Sequence, residues 1–248
     1  MDLTDRPGFH RRFMIIPRKD EVVAALEDEI HCMAVTLKHD GDRVLSVAAE
    51  IDRAPWDTCP GAMAMLRDSF AGVSLAHATE RGGKRQNCTH LYDLAELAAA
   101  HAHDDGPMRY DILVVDPVDG TIVAELRRNG ALILVWTIVG NEITAPPEFA
   151  GASLLGMRDR LAGLAAADRE AARILQWASL VAHGRRIPWE YQADAKNMPA
   201  NCYSFQPGRA VVANRTGVRH DFSASDREPL SHFDGARFTA LEGGSSRA

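Results

Sequence analysis

Apolar and polar residues alternate along two neighbouring segments near the N-terminus. Residues 29–39 alternate, and residues 43–51 do so again after the dipeptide Asp40-Gly41. Successive side chains of a strand point to opposite faces, and Asp-Gly is a favoured hairpin turn. The pattern therefore predicts a β-hairpin. A short apolar run at residues 13–16 predicts an earlier strand.

A helical period replaces the alternation in the next two segments. Apolar residues recur every three or four positions over residues 61–70 and again over residues 88–103, which predicts two amphipathic helices. Gly72 ends the first helix, and the Asp-Asp-Gly-Pro run at residues 104–107 stops the second.

The central part of the chain is rich in strand-forming residues. Three such segments are separated by Asp119-Gly120 and Asn129-Gly130, both favoured hairpin turns. They predict a three-stranded antiparallel meander: residues 110–115, 121–126 and 131–139. A short strand and two helices are predicted to follow: residues 142–144, residues 153–164 and, capped by Asp168, residues 169–183.

The order of these elements predicts the fold class. A hairpin, two helices, a meander and two more helices do not alternate strand with helix, which favours α+β over parallel α/β. We expect an antiparallel sheet, made of the N-terminal hairpin and the meander, packed with about four helices. A single domain is expected over residues 11–222, and the Gly/Ser-rich end predicts a flexible tail over residues 223–248.

The composition argues against several classes of function. The 248 residues are 46% hydrophobic and 25% charged, with a net charge of −6, as in ordinary globular proteins. Nucleic-acid binding requires a basic stripe, which the sequence lacks. The longest apolar run, residues 131–136, is too short to span a bilayer, and the N-terminus lacks the apolar core of a signal peptide. The protein is expected in the cytoplasm, without nucleic-acid or membrane partners.

Five short motifs are spread over the segment from about residue 11 to residue 222. They are Glu27-Asp28-Glu29-Ile30-His31, Arg53-Ala54-Pro55-Trp56-Asp57-Thr58-Cys59-Pro60-Gly61-Ala62, Cys88-Thr89-His90-Leu91-Tyr92-Asp93-Leu94, Arg109-Tyr110-Asp111 and Cys202-Tyr203-Ser204-Phe205-Gln206-Pro207. Together they resemble the bacterial family called domain of unknown function 2889. The resemblance implies a link to the breakdown of lignin-derived aromatics, and to a lyase that releases formaldehyde from phenylcoumaran-type dimers. It assigns no catalytic residues, so the candidates below come from side-chain chemistry.

The second predicted helix carries the densest group of polar side chains. At about 100° per residue, His90 and Asp93 share a face with Leu94, Leu97 and His101. Asp93 can orient His90 by a hydrogen bond, and a paired histidine can act as a general base near neutral pH. The alternative is that both are ordinary polar residues at a helix end.

Two other motifs supply candidate ligand-binding side chains. Arg53 follows the hairpin and can hold a carboxylate or phenolate, while Trp56 can stack on an aromatic ring. The alternatives are a structural salt bridge for Arg53 and a core position for Trp56. His31, on a predicted strand, points either into a cavity or to solvent.

The four cysteines form no CxxC pair and are expected to be thiols. Cys88 lies at a predicted helix N-terminus, where exposed N–H groups would lower its pKa and allow nucleophilic attack, although buried thiols are commoner. Cys59, Cys88 and His90, with His31 or Cys202, offer nitrogen and sulfur ligands to zinc. They lack the paired spacing of structural zinc sites.

The favoured interpretation is a cofactor-independent lyase that acts on a small aromatic substrate and releases formaldehyde, with no metal. Its predicted catalytic residues are His90 as base, Asp93 behind it, Arg53 or Tyr203 stabilising the departing aryloxide, and His31 as a further base; its predicted substrate contacts are Trp56, Trp136 and Tyr110.

The second interpretation is a non-enzymatic accessory protein. It would bind a small molecule or a metal through Cys59, Cys88 and His90. A homodimer is compatible with either interpretation.

Overall fold

The computed structural model describes residues 6–80, 82–188, 190 and 194–233. In this part of the chain eight strands form one sheet: β1 (Gly8–Pro17), β2 (Glu21–Asp28), β3 (Cys32–His39), β4 (Val44–Arg53), β5 (Met108–Val115), β6 (Thr121–Arg128), β7 (Ala131–Val139) and β8 (Glu142–Ala145). Their hydrogen-bonded order is β4-β3-β2-β1-β5-β6-β7-β8. The pairs β2–β3, β3–β4, β5–β6, β6–β7 and β7–β8 are antiparallel. The α+β prediction is confirmed.

Five α-helices occur in the described residues: α1 (Ala62–Phe70), α2 (Thr89–Ala100), α3 (Arg158–Ala162), α4 (Ala166–Ala182) and α5 (Pro207–Ala210). The predicted helix over residues 153–164 is mostly wrong, because only α3 forms there. The prediction that Asp168 caps the next helix is also wrong. That helix begins at Ala166, so Asp168 lies in its first turn. None of the described helices is long and apolar enough to cross a membrane.

The predicted hairpin turns form as expected. Asp119 and Asn129 adopt φ values of 50° each, and the glycines after them adopt 76° and 85°. Two successive positive φ angles match the twist of the flanking strands. The β3–β4 hairpin also forms, with Lys38 paired to Ser46 across the turn.

The predicted sheet was incomplete because it lacked β2. Residues 22–26 of this strand are apolar and fully buried on both faces. A strand buried on both sides has no polar positions to mark its period, so alternation cannot reveal it. The hairpin and the meander are therefore parts of one larger sheet.

The chain forms two compact units. Of the described residues, the first contains 13–80, 82–108, 190, 194–219 and 230–233, and the second contains 6–12, 109–188 and 220–229. The prediction of a single domain over residues 11–222 stays a prediction, as does the flexibility of the tail.

In the first unit, α2 lies against β2 and β3. Residues 91–99 of this helix are all buried, including Asp93 and Glu96. The ring of Tyr92 meets Phe70 of α1 edge-on, with the ring centroids 4.9 Å apart. Contacts on several sides fix the position of α2 and therefore the position of His90 in its first turn.

In the second unit, α4 contacts β6 and β7. Ile174 and Leu175 of this helix are fully buried. The hydroxyl of Tyr110 donates a hydrogen bond of 2.6 Å to Glu170 on the same helix. Apolar packing and this partly buried hydrogen bond together hold α4 on the strands.

Candidate active site

A tight turn between β2 and β3 forms the centre of the candidate site. Asp28 is the last residue of β2, and its Oδ1 accepts hydrogen bonds of 2.8 Å from the backbone N–H groups of Ile30 and His31. The backbone N–H of Asp28 donates to the His31 carbonyl at 2.8 Å. These three bonds close the turn and fix both residues relative to each other.

The same carboxylate contacts the imidazole of His31. Nδ1 of His31 lies 3.0 Å from Oδ1 and 3.2 Å from Oδ2 of Asp28. The Asp28 side chain is fully buried, and that of His31 is 9% exposed. An ionised carboxylate can only accept hydrogen bonds, so Nδ1, the ring nitrogen that faces it, acts as the donor.

A second imidazole stacks on this ring. His90, in the first turn of α2, lies with its ring centroid 3.8 Å from that of His31 and an interplanar angle of 28°. The packing of α2 on β2 and β3 brings it there. One donor atom each from Asp28, His31 and His90 all lie within 4.8 Å of one another. We refer to these three residues as the Asp28–His31–His90 cluster.

The carboxylate predicted to orient His90 has a cationic partner. Asp93 forms an ion pair with the ammonium of Lys84, a short contact between two largely buried side chains. The carboxylate that contacts an imidazole of the cluster is Asp28, which the sequence analysis assigned to no role. The catalytic roles predicted for His90 and Asp93 stay predictions.

Arg53 lies beside the turn and points its guanidinium at Glu27. Nη1 and Nη2 each donate to Oε1 of Glu27 at 3.1 Å. Nη2 also donates to the backbone carbonyls of Asp28, at 2.5 Å, and His31, at 3.4 Å. The structural salt bridge considered as an alternative for Arg53 is therefore present.

Trp56 is buried in a small apolar cluster with Cys59, Ala195 and Ala210. Phe205 meets its ring edge-on at a centroid distance of 5.8 Å. This is the core position considered as the alternative to substrate stacking, and its predicted role as a substrate contact stays untested.

Tyr203 lies beside Arg209, whose guanidinium carbon is 3.7 Å from the centre of the tyrosine ring. The backbone N–H of Tyr203 donates to the carbonyl of Asn87, just before α2, at 2.9 Å. The segment that carries Tyr203 is thus attached close to the start of the helix that bears His90.

Two predicted substrate contacts belong to the second unit. Trp136 is fully buried, with its ring centroid 5.3 Å from that of Phe149. Burial, followed by the negative charge of Glu170, raises the pKa of Tyr110. Their roles towards a substrate stay predictions.

All four cysteines are thiols rather than disulfides, as expected. Burial raises the pKa of Cys88 to about 12 and that of Cys202 to about 11, and it also raises the pKa of Cys59. The expectation of a lowered pKa at Cys88 is wrong. The cost of placing a thiolate in an apolar interior exceeds the effect of the nearby helix N–H groups.

The second interpretation placed a metal on Cys59, Cys88 and His90, and that ligand set stays untested. Within the described residues, the group of donors close enough to share an ion is Asp28, His31 and His90. Two imidazoles and one carboxylate suit first-row divalent metals rather than soft thiophilic ions.

Asp28 was not predicted as a site residue, although it lies in the motif that contains His31. The available signal was an aspartate three residues before a histidine, immediately after an apolar run. Aspartate side chains commonly accept hydrogen bonds from backbone N–H groups two or three residues on, which places the third residue beside the carboxylate.

Comparison with known proteins supports the family resemblance over part of the chain. Residues 14–103 match the family model described as Protein of unknown function (DUF2889). The whole Asp28–His31–His90 cluster lies in this segment, together with Arg53. No curated protein and no solved structure matches the chain.

Proposed function

We propose that the protein is a cofactor-independent lyase that releases formaldehyde from a small lignin-derived aromatic compound, with His31 as its general base. The observation that carries the choice of base is the buried hydrogen bond of 3.0 Å between Asp28 and His31 Nδ1. The reaction class comes from the family resemblance, and the roles of the residues come from the geometry of the cluster.

The Asp28–His31 pair has the properties that a general base needs. The hydrogen bond fixes the orientation of the imidazole and directs the basic Nε2 away from the carboxylate. When Nε2 takes a proton, the buried negative charge of Asp28 stabilises the resulting imidazolium. His31 therefore replaces His90 in the role that the sequence analysis favoured.

The reaction begins at a hydroxymethyl group whose carbon neighbour is attached to a carbon bearing an aryl ether. His31 removes the hydroxyl proton, the C–O bond becomes the carbonyl of formaldehyde, and the bond to the hydroxymethyl carbon breaks. The electron pair of that bond forms a carbon–carbon double bond and expels the aryl ether oxygen as an aryloxide. A proton donor then neutralises the aryloxide, so no oxidant or reductant is needed.

In this proposal His90 supplies that proton. Its ring stacks on that of His31 with the centroids 3.8 Å apart, so the acid and the base lie side by side. A pair that holds one proton contains both a base and an acid. His31 gains the proton of the hydroxyl group, and His90 gives a proton to the aryloxide. The products are then neutral, and the two histidines together hold the same number of protons as before.

The test is formaldehyde release by purified variants on a phenylcoumaran-type dimer. His31→Gln should lower turnover by roughly 10²- to 10⁴-fold because the base is lost. Asp28→Asn should lower it less, because the base remains but its orientation and the stabilisation of the cation are lost. The matched control is His77→Gln, an exposed histidine in the same unit.

Melting temperature, measured on the same samples, separates chemistry from folding. Full turnover per folded molecule in His31→Gln would contradict the role of His31 as base. Absence of formaldehyde with the unaltered protein would contradict the lyase assignment itself.

A second candidate function is metal binding without catalysis. It is favoured by the three donor atoms of the cluster, which lie within 4.8 Å of one another. Retention of one equivalent of a divalent metal after purification, lost in His90→Gln and without formaldehyde release, would support this function over the lyase. Formaldehyde release that persists in a chelator would support the lyase.

A further inference from the structure

Next to the turn between β2 and β3, one face of the sheet carries a buried ion pair between Glu27 and Arg53. Cys32 of β3 pairs with Glu27 on one side and with Arg53 on the other. Directly opposite residues of neighbouring strands have their side chains on the same face. Glu27 and Arg53 therefore share one face, with Cys32 between them. Asp28, next along β2, begins on the other face, where Leu26 precedes it by two residues.

Arg53 connects this face to the backbone of the turn. Besides the two hydrogen bonds to Glu27, Nη2 donates to the carbonyl of Asp28 at 2.5 Å and to that of His31 at 3.4 Å. These carbonyls belong to the first and last residues of the turn. One guanidinium thus holds both ends of the segment whose side chains form the Asp28–His31 pair.

Glu27 is in turn held by the C-terminal segment. Its Oε2 accepts a hydrogen bond of 2.6 Å from the backbone N–H of Leu230. The side chain of Leu230 is buried against Ala25 and Ala34 on the same face. Both carboxylate oxygens of Glu27 are therefore occupied, one by Arg53 and one by a residue about two hundred positions later in the chain.

We infer that Arg53 is a positioning residue for the Asp28–His31 pair, anchored by Glu27, and that it does not bind the substrate. This inference rests on the proposed function for its catalytic consequences. The dependence of the His31 side-chain position on Arg53 does not require any activity and can be tested without substrate. The fork geometry of a guanidinium allows simultaneous donation to a carboxylate and to two carbonyls, which the compact ammonium of lysine does not reproduce.

The choice of variant follows from the burial of the ion pair. Glu27 is 2% exposed at its side chain and Arg53 is 13% exposed. Deleting either charge leaves the other unpaired in a buried place, which destabilises proteins strongly. Arg53→Lys keeps the positive charge beside Glu27 and removes only the fork. Arg43→Lys, at an exposed arginine of the same unit, is the matched control.

The first readout is the imidazole of His31 in the unaltered protein and the two variants, without substrate. Nitrogen-15 NMR at neutral pH reports which ring nitrogen carries the hydrogen. We expect the Nδ1–H signal of His31 to be lost or broadened in Arg53→Lys and unchanged in Arg43→Lys. An unchanged His31 signal in a folded Arg53→Lys protein would overturn the inference.

The second readout is the division of the effect between kcat and KM. Displacement of a catalytic group by about 1 Å can cost up to about 10²-fold in rate. A positioning role therefore predicts that Arg53→Lys lowers kcat by roughly tenfold or more with little change in KM. A raised KM with unchanged kcat would show that Arg53 binds the substrate and would overturn the inference.

The two readouts fail independently. If the unaltered protein releases no formaldehyde but the His31 signal still depends on Arg53, the lyase is wrong and the positioning role stands. If Arg53→Lys does not fold, Glu27→Asp takes its place with the same readouts, because aspartate keeps the buried charge and, being one methylene shorter, draws the carboxylate away from Arg53.

Discussion

Asp28 and Cys88 show how burial gives a side chain its chemical state. The carboxylate of Asp28 is fully buried, yet one oxygen accepts two backbone N–H bonds and contacts the imidazole of His31. Hydrogen bonds donated to a carboxylate stabilise its charged form, which is why this turn can hold the buried carboxylate of Asp28. Backbone N–H groups of Leu91 and His90 also reach the thiol of Cys88, but burial has the larger effect and raises its pKa.

This state of Cys88 leads to a prediction about its reactivity. With a pKa of about 12, almost none of the thiol is ionised at pH 8, and the buried sulfur is also shielded. Iodoacetamide should therefore label Cys88 only after unfolding in urea, as measured by peptide mass spectrometry. Cys32, a half-buried thiol in the same unit, serves as the comparison. Rapid labelling of Cys88 in the folded protein would contradict its protonated, buried state.

At the scale of elements, the hairpin and α2 were predicted from local pattern, and the structure adds how they are held. His39 ends β3 and is buried, and its Nδ1 accepts a hydrogen bond of 3.2 Å from the backbone N–H of Gly41 in the turn. Accepting through Nδ1 requires a ring nitrogen without a proton. Burial, followed by the nearby His103, lowers the pKa of His39 below 6.5.

The lowered pKa of His39 makes the stability of the hairpin dependent on pH. A pKa that is lower in the folded than in the unfolded chain contributes stability above the unfolded value, and this contribution is lost as the pH falls below it. When the pH is lowered from about 7.5 to about 5.5, the free energy of unfolding should fall less in His39→Asn than in the unaltered protein. Asparagine keeps an acceptor for the N–H two residues on and does not titrate.

Urea unfolding of both proteins at the two pH values measures this effect. His77→Asn, at an exposed histidine, should leave the pH dependence of the unaltered protein in place. If His39→Asn lost as much stability on acidification as the unaltered protein, His39 would not contribute to the pH dependence.

At the scale of the whole molecule, the C-terminal segment completes the first unit. Leu230 is 9% exposed and packs against Ala25 and Ala34, although more than 190 residues separate it from them. Its backbone N–H occupies the second oxygen of Glu27. The segment beyond the predicted domain limit at residue 222 therefore includes a residue that covers one face of β2 and β3.

The packing of Leu230 predicts that its substitution destabilises the protein, whereas substitution of an exposed leucine does not. Leu230→Ala should lower the free energy of unfolding by about 2 kcal/mol, since it removes buried methyl groups. Leu155→Ala, at a leucine that is 73% exposed, should change it by less than about 0.5 kcal/mol. Removal of residues 236–248 should leave the melting temperature nearly unchanged. A truncation as damaging as Leu230→Ala would contradict the predicted flexible tail.

Features that depend on residues close together in the chain could be predicted from the sequence alone. Asp-Gly and Asn-Gly dipeptides adopt the positive φ angles that hairpins need, so the β3–β4 hairpin and the β5–β6–β7 meander followed from local turn chemistry. The spacing of apolar residues located α1 and α2 for the same reason. The α+β class then followed from the order of these elements.

Which side chains meet depends instead on how distant elements pack. β2 escaped prediction because both of its faces are covered, one by α2 and one by residues near Leu230, and these covers come from distant parts of the chain. The stacking of His90 on His31 depends on how α2 packs across β2 and β3, which no local pattern specifies. The carboxylate of Asp28 became visible as the partner of His31 only when the turn closed around it.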